Sequence, residues 1–428
     1  KSVEREAEYQ VKRLKSHPSI ILWCGNNEIA WAWYNWEWKQ NLPHHLWEDY
    51  KLLFHKVLSD ACKKHDPKRL YWPTSPGHMI DAPEEGQAYG GGDNHFWGVW
   101  HGGEDFDAFE KNVGRFMSEY GMQSFPEIKT IKEITKSSDL NIDSGVMKSH
   151  QKASLGNKNV IMYLEKYYLK PINFESLLMI SQIMQAEAIK VAVESHRRKM
   201  PYCMGTLYWQ LNDCWPGASW SSIDYKGRWK ALHYIAKNFF EPIFISIKQD
   251  KDKIEIHGLN DLNHSFQGDL VVQILDFNGE KLNTLKKSIT LNSVSVSKVL
   301  TLNISEVIDD QKINRTLIRA SLNKRTKRLS QNEFYLVRPK ELQIPKPKFD
   351  FEYKISNGEV DILIKAHTFI YKAFILCDKS DGIFSENFVD LIPGEVKKIK
   401  FKKSKKSDYE LEDLTFIMKS YYELVHKN

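Results

Sequence analysis

The sequence predicts a multidomain α/β plus all-β protein, a partial (β/α)8 TIM barrel over residues 1–240 followed by two β-sandwiches over 241–340 and 341–428. Three observations carry this reading. Short apolar runs alternate with helix-length amphipathic segments up to about residue 240, period-two alternation takes over beyond Glu241-Pro242, and a proline–lysine stretch divides the second half. The chain is 428 residues long. That exceeds what one hydrophobic core usually supports, so two or three domains are expected.

In the first half, helices are expected at 2–16, 44–65, 104–114, 124–136 and 175–198, and strands at Ile20–Cys24, Leu70–Trp72, Asn94–Phe96, Phe116–Ser118 and Gly205–Trp209. Apolar runs bounded by Gly or Asn read as fully buried parallel strands, and strands alternating with helices argue for a parallel sheet or barrel. A complete (β/α)8 barrel takes about 250 residues and eight strands. Only part of that set is visible. In the second half, Lys253-Ile254-Glu255-Ile256-His257 and Val360-Asp361-Ile362-Leu363-Ile364-Lys365 alternate strictly, and Asp276-Phe277-Asn278-Gly279 is a hairpin turn signal. Pro339, Pro345 and Pro347, set among lysines, mark a stiff linker between the two sandwiches.

Composition narrows the function classes. A hydrophobic fraction of 42% and a charged fraction of 27% suit a globular protein rather than a disordered one. The net charge of +6 is spread along the chain without aromatic–basic interleaving, so nucleic acid is not an expected partner. Lys397-Lys398-Ile399-Lys400-Phe401-Lys402-Lys403 reads as an exposed strand kept soluble by lysine. No stretch approaches the roughly 20 apolar residues of a membrane span. Five scattered cysteines without a C-x-x-C pair indicate neither a disulfide framework nor a zinc site. Sequons at Asn263, Asn303 and Asn314 are too few to establish secretion. Because the chain opens on Lys1 within a helical pattern, a natural amino terminus is not expected there, and the compartment stays open.

Two carboxylates stand out. Glu28 closes Ser19-Ile20-Ile21-Leu22-Trp23-Cys24-Gly25-Asn26-Asn27-Glu28, and Glu119 ends Arg115-Phe116-Met117-Ser118-Glu119. A carboxylate just past a barrel strand reaches the carboxyl-terminal mouth, where barrel enzymes carry their chemistry. Two of them, from different strands, suit glycoside hydrolysis, in which one protonates the leaving oxygen and the other attacks or activates water. Their protonation states must then be opposite. Asn27 beside the acid is placed to hydrogen-bond a sugar 2-hydroxyl, although Asn-Glu after a strand is also how a helix start is capped. Gly90-Gly91-Gly92 reads as a flexible loop rather than a phosphate loop, since no Lys-Ser/Thr follows, and His95 and Trp97 behind it are expected to line the pocket. No cofactor and no metal are called for by this chemistry.

His17-Pro18-Ser19 before Trp23-Cys24-Gly25-Asn26-Asn27-Glu28 resembles the acid/base segment of the β-mannosidases in glycoside hydrolase family 2. Ser118-Glu119-Tyr120-Gly121-Met122-Gln123-Ser124-Phe125-Pro126 is similar to their nucleophile segment. Gly205-Thr206-Leu207-Tyr208-Trp209-Gln210-Leu211-Asn212-Asp213, with Trp215-Pro216, Ser219 to Tyr225 and Gly227-Arg228-Trp229-Lys230, resembles their last barrel strand and the loop after it. A looser likeness reaches Phe384-Ser385-Glu386-Asn387-Phe388 and Leu391-Ile392-Pro393-Gly394-Glu395. The resemblance implies immunoglobulin-like sandwiches and a retaining exo-β-mannosidase acting on terminal non-reducing β-mannose of an oligosaccharide or glycan. Glu28 would be the acid/base, held protonated by the nearby nucleophile's charge. Glu119 would be the ionised nucleophile and Trp209 the platform under the sugar. It also implies a sugar-binding sandwich, an immunoglobulin-like domain and early barrel strands ahead of this region, absent here, so the chain by itself would be a weak catalyst. Two alternatives remain open: another family 2 specificity (β-galactosidase, β-glucuronidase or exo-β-glucosaminidase), and a non-catalytic carbohydrate-binding protein whose glutamates do not converge in one cleft.

Overall fold

Helix charge order and a small apolar cluster organise the first of two compact units, which comprises Lys1–Trp97, Phe109–Tyr120 and Pro201–Tyr208. The computed structural model describes residues 1–77, 92–356, 358–405 and 408–427. The expected Gly90-Gly91 part of the glycine loop lies outside them. Helix Ser2–Leu14 carries Glu4 in its first turn and Lys12 and Arg13 in its last, the order the helix dipole favours. Its single buried side chain, Val11, packs against Cys62 and Tyr71. The helix expected over 44–65 forms as His45–Tyr50, a π-helical stretch Lys51–Val57, and Leu58–His65. Two further helices, Ile29–Asn35 and Trp38–Asn41, were not expected. The first is held by aromatic packing, with Trp33 stacked on Trp47 at 5.3 Å and Trp47 on Tyr50 at 4.6 Å.

The strands of this unit form two short parallel pairs. β1 (Leu22–Cys24) pairs with β2 (Leu70–Trp72), and β3 (Asp93–His95) pairs with β4 (Phe116–Glu119). The first pairing continues past the strands through Ser75 N to Asn26 O at 2.9 Å and Glu28 N to Ser75 O at 2.7 Å. Gly25 is required by that close approach, since a Cβ there would stand 2.4 Å from the Pro73 carbonyl oxygen. The expectation of full burial fails at the start of this run, where Ile21, just before β1, is 74% and Leu22 38% exposed. Among the described residues nothing pairs with the free edge of β1 or covers these side chains. Gly205–Trp209 is not a regular strand either. Among the described residues it makes a single bridge, from Thr206 to Met117, with Met117 N donating to Gly205 O and Leu207 N to Met117 O.

The second unit comprises Gly98–Ala108, Gly121–Met200 and Trp209–Asn428. Its longest helix, Phe174–Arg198, starts at an Asn173 cap whose side chain accepts from Ser176 N at 2.8 Å. This helix corrects one expectation, because it is long and apolar enough by composition to cross a membrane. Its apolar window is 78% buried within the protein, which accounts for its composition as that of a core helix. The helix expected over 124–136 is shortened to Ile128–Lys132, since Pro126 disfavours helical backbone just before it. The one expected over 104–114 is reduced to Ala108–Lys111. Gly145–Ser149, Gly156–Tyr167 and Ala231–Phe239 are additional helices.

Two sandwiches follow. In the first, one sheet is β5 (Ile243–Asp250), β6 (Lys253–Asn260) and β9 (Ser295–Asn303). The other runs in the order β11 (Lys327–Phe334), β10 (Thr316–Lys324), β7 (Phe266–Asp276) and β8 (Lys281–Leu291). Inward residues of both, including Ile245, Ile256, Val272 and Ala320, make one core. The turn expected at Asp276–Gly279 joins β7 to β8, with Gly279 at φ +88° and Asp276 Oδ1 accepting from Asn278 N and Glu280 N. The second sandwich sets β12 (Phe349–Ser356), β13 (Glu359–Ala366), β17 (Val396–Lys403) and β15 (Gly382–Phe384) against β16 (Val389–Leu391), β14 (Ile370–Cys377) and β18 (Phe416–Lys419). In β17 Ile399 and Phe401 are buried while Lys398, Lys400 and Lys402 are exposed, as the alternation predicts. Lys372 in β14 joins Asp390 at 2.9 Å and Glu187 of the long helix at 3.0 Å. Burial opposes its charge, yet these carboxylates hold its pKa above the ordinary lysine value.

Candidate active site

The ends of the parallel pairs in the first unit bring four of the six expected site residues together. Glu28 takes the turn from β1 into helix Ile29–Asn35 with φ +60°, a left-handed conformation that a residue with a side chain adopts at a cost of about 1 kcal/mol or more. Its amide is held by Ser75 O and its carbonyl accepts from Ala32 N, both at 2.7 Å. Its side chain meets the imidazole of His95 at the end of β3, with Nδ1 to Oε1 at 2.6 Å. At the end of β4, Glu119 Oε1 lies 3.9 Å from the same Nδ1 and accepts from the Trp97 indole at 3.2 Å. A bulge between Asn94 and His95 sets His95 opposite Glu119.

One oxygen of Glu28, one of Glu119 and a ring nitrogen of His95 all lie within 4.8 Å of one another. The three donors have the composition of a divalent-cation site. Two ligands of one tetrahedral ion at about 2.1 Å each stand about 3.4 Å apart, however, whereas His95 and Glu28 are closed to hydrogen-bonding distance. The arrangement is that of a hydrogen-bonded acid–base group.

Of the remaining expected residues, Asn27 is exposed beside Glu28, and its backbone bridges to Ser75. Trp209 lies in the second unit and is 43% exposed. Tyr120, following Glu119, is fully buried, with its hydroxyl 2.6 Å from Thr206 Oγ1, and serves packing.

Burial raises the Glu119 carboxyl above the ordinary 4.5, His95 opposes this, and the neighbouring Glu28 adds to it. The sequence places both acids at strand ends without showing that Glu119 is the more buried. A raised carboxyl must lose its proton before it can act as a nucleophile, so activity should rise with pH through a limb above 4.5. Trp97→Phe removes the indole donor that holds the carboxyl down and should move that limb upward, which a kcat/KM profile with an activated aryl glycoside would show. A downward or absent movement would contradict the coupling.

Sequence reasoning missed Ser75 and Asp93. Ser75 Oγ lies 3.0 Å from His95 Nε2 and bonds to Asp93 Oδ2, which also accepts from Ser118 Oγ at 2.5 Å, while Asp93 Oδ1 accepts from Gly77 N at 2.8 Å. The available signal was Pro73-Thr74-Ser75-Pro76-Gly77, a turn-rich stretch directly after β2, at the strand-end position that Glu28 occupies after β1.

Comparison with known proteins agrees with this picture. Residues 252–341 match the Mannosidase Ig/CBM-like domain family and residues 344–422 an Ig-fold domain family of mannosidases. The chain is 34% identical over 296 residues to a β-mannosidase of Capra hircus, covering 64% of this chain and 33% of that one. It is 27% identical to β-mannosidase A of Emericella nidulans, over 94% of this chain and 48% of that one. The β-D-mannosidase structure from Dictyoglomus thermophilum superposes with a TM-score of 0.85 at 30% identity, covering 98% of this chain and 50% of that one. An exo-chitosanase from Amycolatopsis orientalis shares the fold, with a TM-score of 0.70 at 16% identity over 98% of this chain and 52% of that one. The chain thus spans about a third to a half of the length of these relatives. Mixed helix and sheet with two Ig-like domains is the common architecture, and by sequence and fold the chain is a homologue of the β-mannosidases of glycoside hydrolase family 2.

Proposed function

We propose that the chain carries the catalytic carboxylates of a retaining exo-β-mannosidase, with Glu119 as nucleophile and Glu28 as acid/base. In the first step Glu119 forms a bond to the anomeric carbon as the bond to the leaving oxygen breaks, and Glu28 delivers its proton to that oxygen. In the second, water attacks the same carbon, gives its proton to Glu28 and releases Glu119. The observation that carries this is the approach of the two carboxylates, with one oxygen of each within 4.8 Å. Retaining enzymes hold their carboxyl groups about 5–5.5 Å apart, whereas inverting ones leave about 6.5–9.5 Å for a water. Convergence at this range also disfavours the non-catalytic alternative, for which the glutamates need not meet. Trp97, donating to Glu119, favours the ionised nucleophile, and Asn27 and Trp209 are assigned to the sugar.

The substrate is a terminal non-reducing β-D-mannosyl unit of an oligosaccharide or glycan. Domain boundaries near residues 240 and 340 accompany this reading, supported by family matches beginning at 252 and 344. A weak activity for the 428 residues alone is part of the proposal, because two strand pairs with apolar side chains exposed on β1 supply only part of a substrate cleft.

The test is active-site labelling of the full-length protein with a 2-deoxy-2-fluoromannosyl fluoride. The ring fluorine slows both steps and the good leaving group spares the first, so the glycosyl-enzyme accumulates. Mass spectrometry of peptides should place one sugar on Glu119, and nitrophenyl β-mannoside should exceed the galactoside, glucuronide and glucosaminide as substrate. The 428-residue chain is assayed beside it. Labelling at another residue would sink the nucleophile assignment, preference for another glycoside would move the specificity, and full activity of the chain alone would remove the partial-cleft argument.

A further inference from the structure

The Asp93–Ser75–His95 chain determines where a proton sits next to Glu28. Asp93 accepts three hydrogen bonds, from Ser75 Oγ, Ser118 Oγ and Gly77 N, the environment of an ionised carboxylate. Since a carboxylate only accepts, the Ser75 hydroxyl proton is committed to Asp93. The lone pairs of Ser75 Oγ then face His95 Nε2 at 3.0 Å, and that contact is a hydrogen bond only if Nε2 carries a hydrogen. A neutral imidazole protonated at Nε2 has a bare lone pair at Nδ1. Nδ1 lies 2.6 Å from Glu28 Oε1, so the proton between them must come from Glu28.

We propose that Asp93 and Ser75 are positioning residues that lock the His95 tautomer with Nε2–H, so that Nδ1 accepts from Glu28 and the acid/base keeps its proton at working pH. This rests on the assignment of Glu28 as the acid and adds residues that act through it. The proton count makes the device specific. Glu28 as a neutral acid beside neutral His95, and ionised Glu28 beside imidazolium, contain the same proton. The state that lacks it, Nδ1–H facing an ionised carboxylate, would set the bare Nε2 lone pair against the lone pairs of Ser75. Asp93 therefore disfavours deprotonation of the pair from the far side of the ring. Three ionisable groups face the imidazole among the described residues: Glu28, Glu119 with Oε1 3.9 Å from Nδ1, and Asp93 with Oδ2 4.0 Å from Nε2. His95 itself is 7% exposed, so water does not dictate its tautomer. On the opposite carboxylate, the Trp97 indole donates rather than accepts. One acid is thus offered an acceptor and the other a donor, which separates their roles.

The experiment has two readouts on the full-length protein. Nitrogen-15 NMR of labelled histidine, with His95 assigned by its loss in His95→Gln, should show Nε2 protonated across the pH range of activity. In Asp93→Asn the carboxamide can donate to Ser75 and free its hydroxyl for Nε2, so the Nδ1–H tautomer should appear. In kinetics, the basic limb of kcat/KM for a poor leaving group should fall by about one pH unit in Asp93→Asn and Ser75→Ala, the scale of one lost buried hydrogen-bond preference. Ser75→Thr, which keeps the hydroxyl, should restore it. A purely structural role would lower activity at all pH values without moving the limb. A neutral Nδ1–H tautomer in the wild type, or an unmoved limb in folded Ser75→Ala, would overturn the proposal. Failure of the underlying reading looks different: Glu28→Ala would then retain full activity, whatever tautomer His95 shows.

Discussion

Glu119→Ala in the full-length protein is expected to lose turnover of every β-mannoside, by on the order of 10^4-fold or more, the scale on which a cooperating catalytic group fails when its nucleophile is removed. The loss should be independent of leaving group, because a group that forms the bond to the anomeric carbon is needed however readily the other bond breaks. Azide supplies a check that a folding defect cannot imitate. A small anion entering the space of the missing carboxylate would attack an activated aryl β-mannoside from the nucleophile's side. One carbon–nitrogen bond would form as the aryloxide leaves, giving an α-mannosyl azide. Recovery of that product together with wild-type stability would establish the role. Residual hydrolysis within tenfold of the wild type, or a β-configured azide from this variant, would remove Glu119 from it.

The parts of this molecule that were legible in sequence are those with a local cause. Alternation in 253–257 and 360–365 is fixed by a sheet with one buried face, and the turn at Asp276–Gly279 by a glycine at φ +88°. The two acids were visible because each ends a short apolar run. Hidden features depend on neighbours distant in sequence. Helices Ile29–Asn35 and Trp38–Asn41 carry Trp31, Trp33 and Trp38 at spacings that do not trace one helical face, and for the first of them the stack of Trp33 onto Trp47 and Tyr50 compensates. Gly205–Trp209 has strand composition but, among the described residues, makes one bridge, at Thr206. Ser75 and Asp93 could not be picked out, since their significance lies in meeting His95, and neither residue type is unusual in a loop or at a strand start. The greater burial of Glu119 was hidden for the same reason.

Glu28→Ala is expected to divide substrates by leaving group, and that division is the stronger test of its assignment. General acid catalysis contributes about 10^2- to 10^4-fold where a proton must be delivered to the departing oxygen. An alkyl or sugar aglycone leaves as an unstable alkoxide without it, so natural oligosaccharides should lose activity by that amount. A dinitrophenolate is stable as an anion and needs no proton. With such a substrate the first step should proceed nearly normally, leaving hydrolysis of the glycosyl-enzyme, which lacks its general base, to limit turnover. A burst of dinitrophenolate and a low apparent KM should result, and azide, attacking from the face opposite Glu119, should release a β-mannosyl azide. The basic limb of the pH profile should also vanish, because in this reading it reports the proton held between Glu28 Oε1 and His95 Nδ1 at 2.6 Å. Equal losses for both leaving groups, with no burst and an unchanged basic limb, would mean that the proton reaches the glycosidic oxygen from another residue.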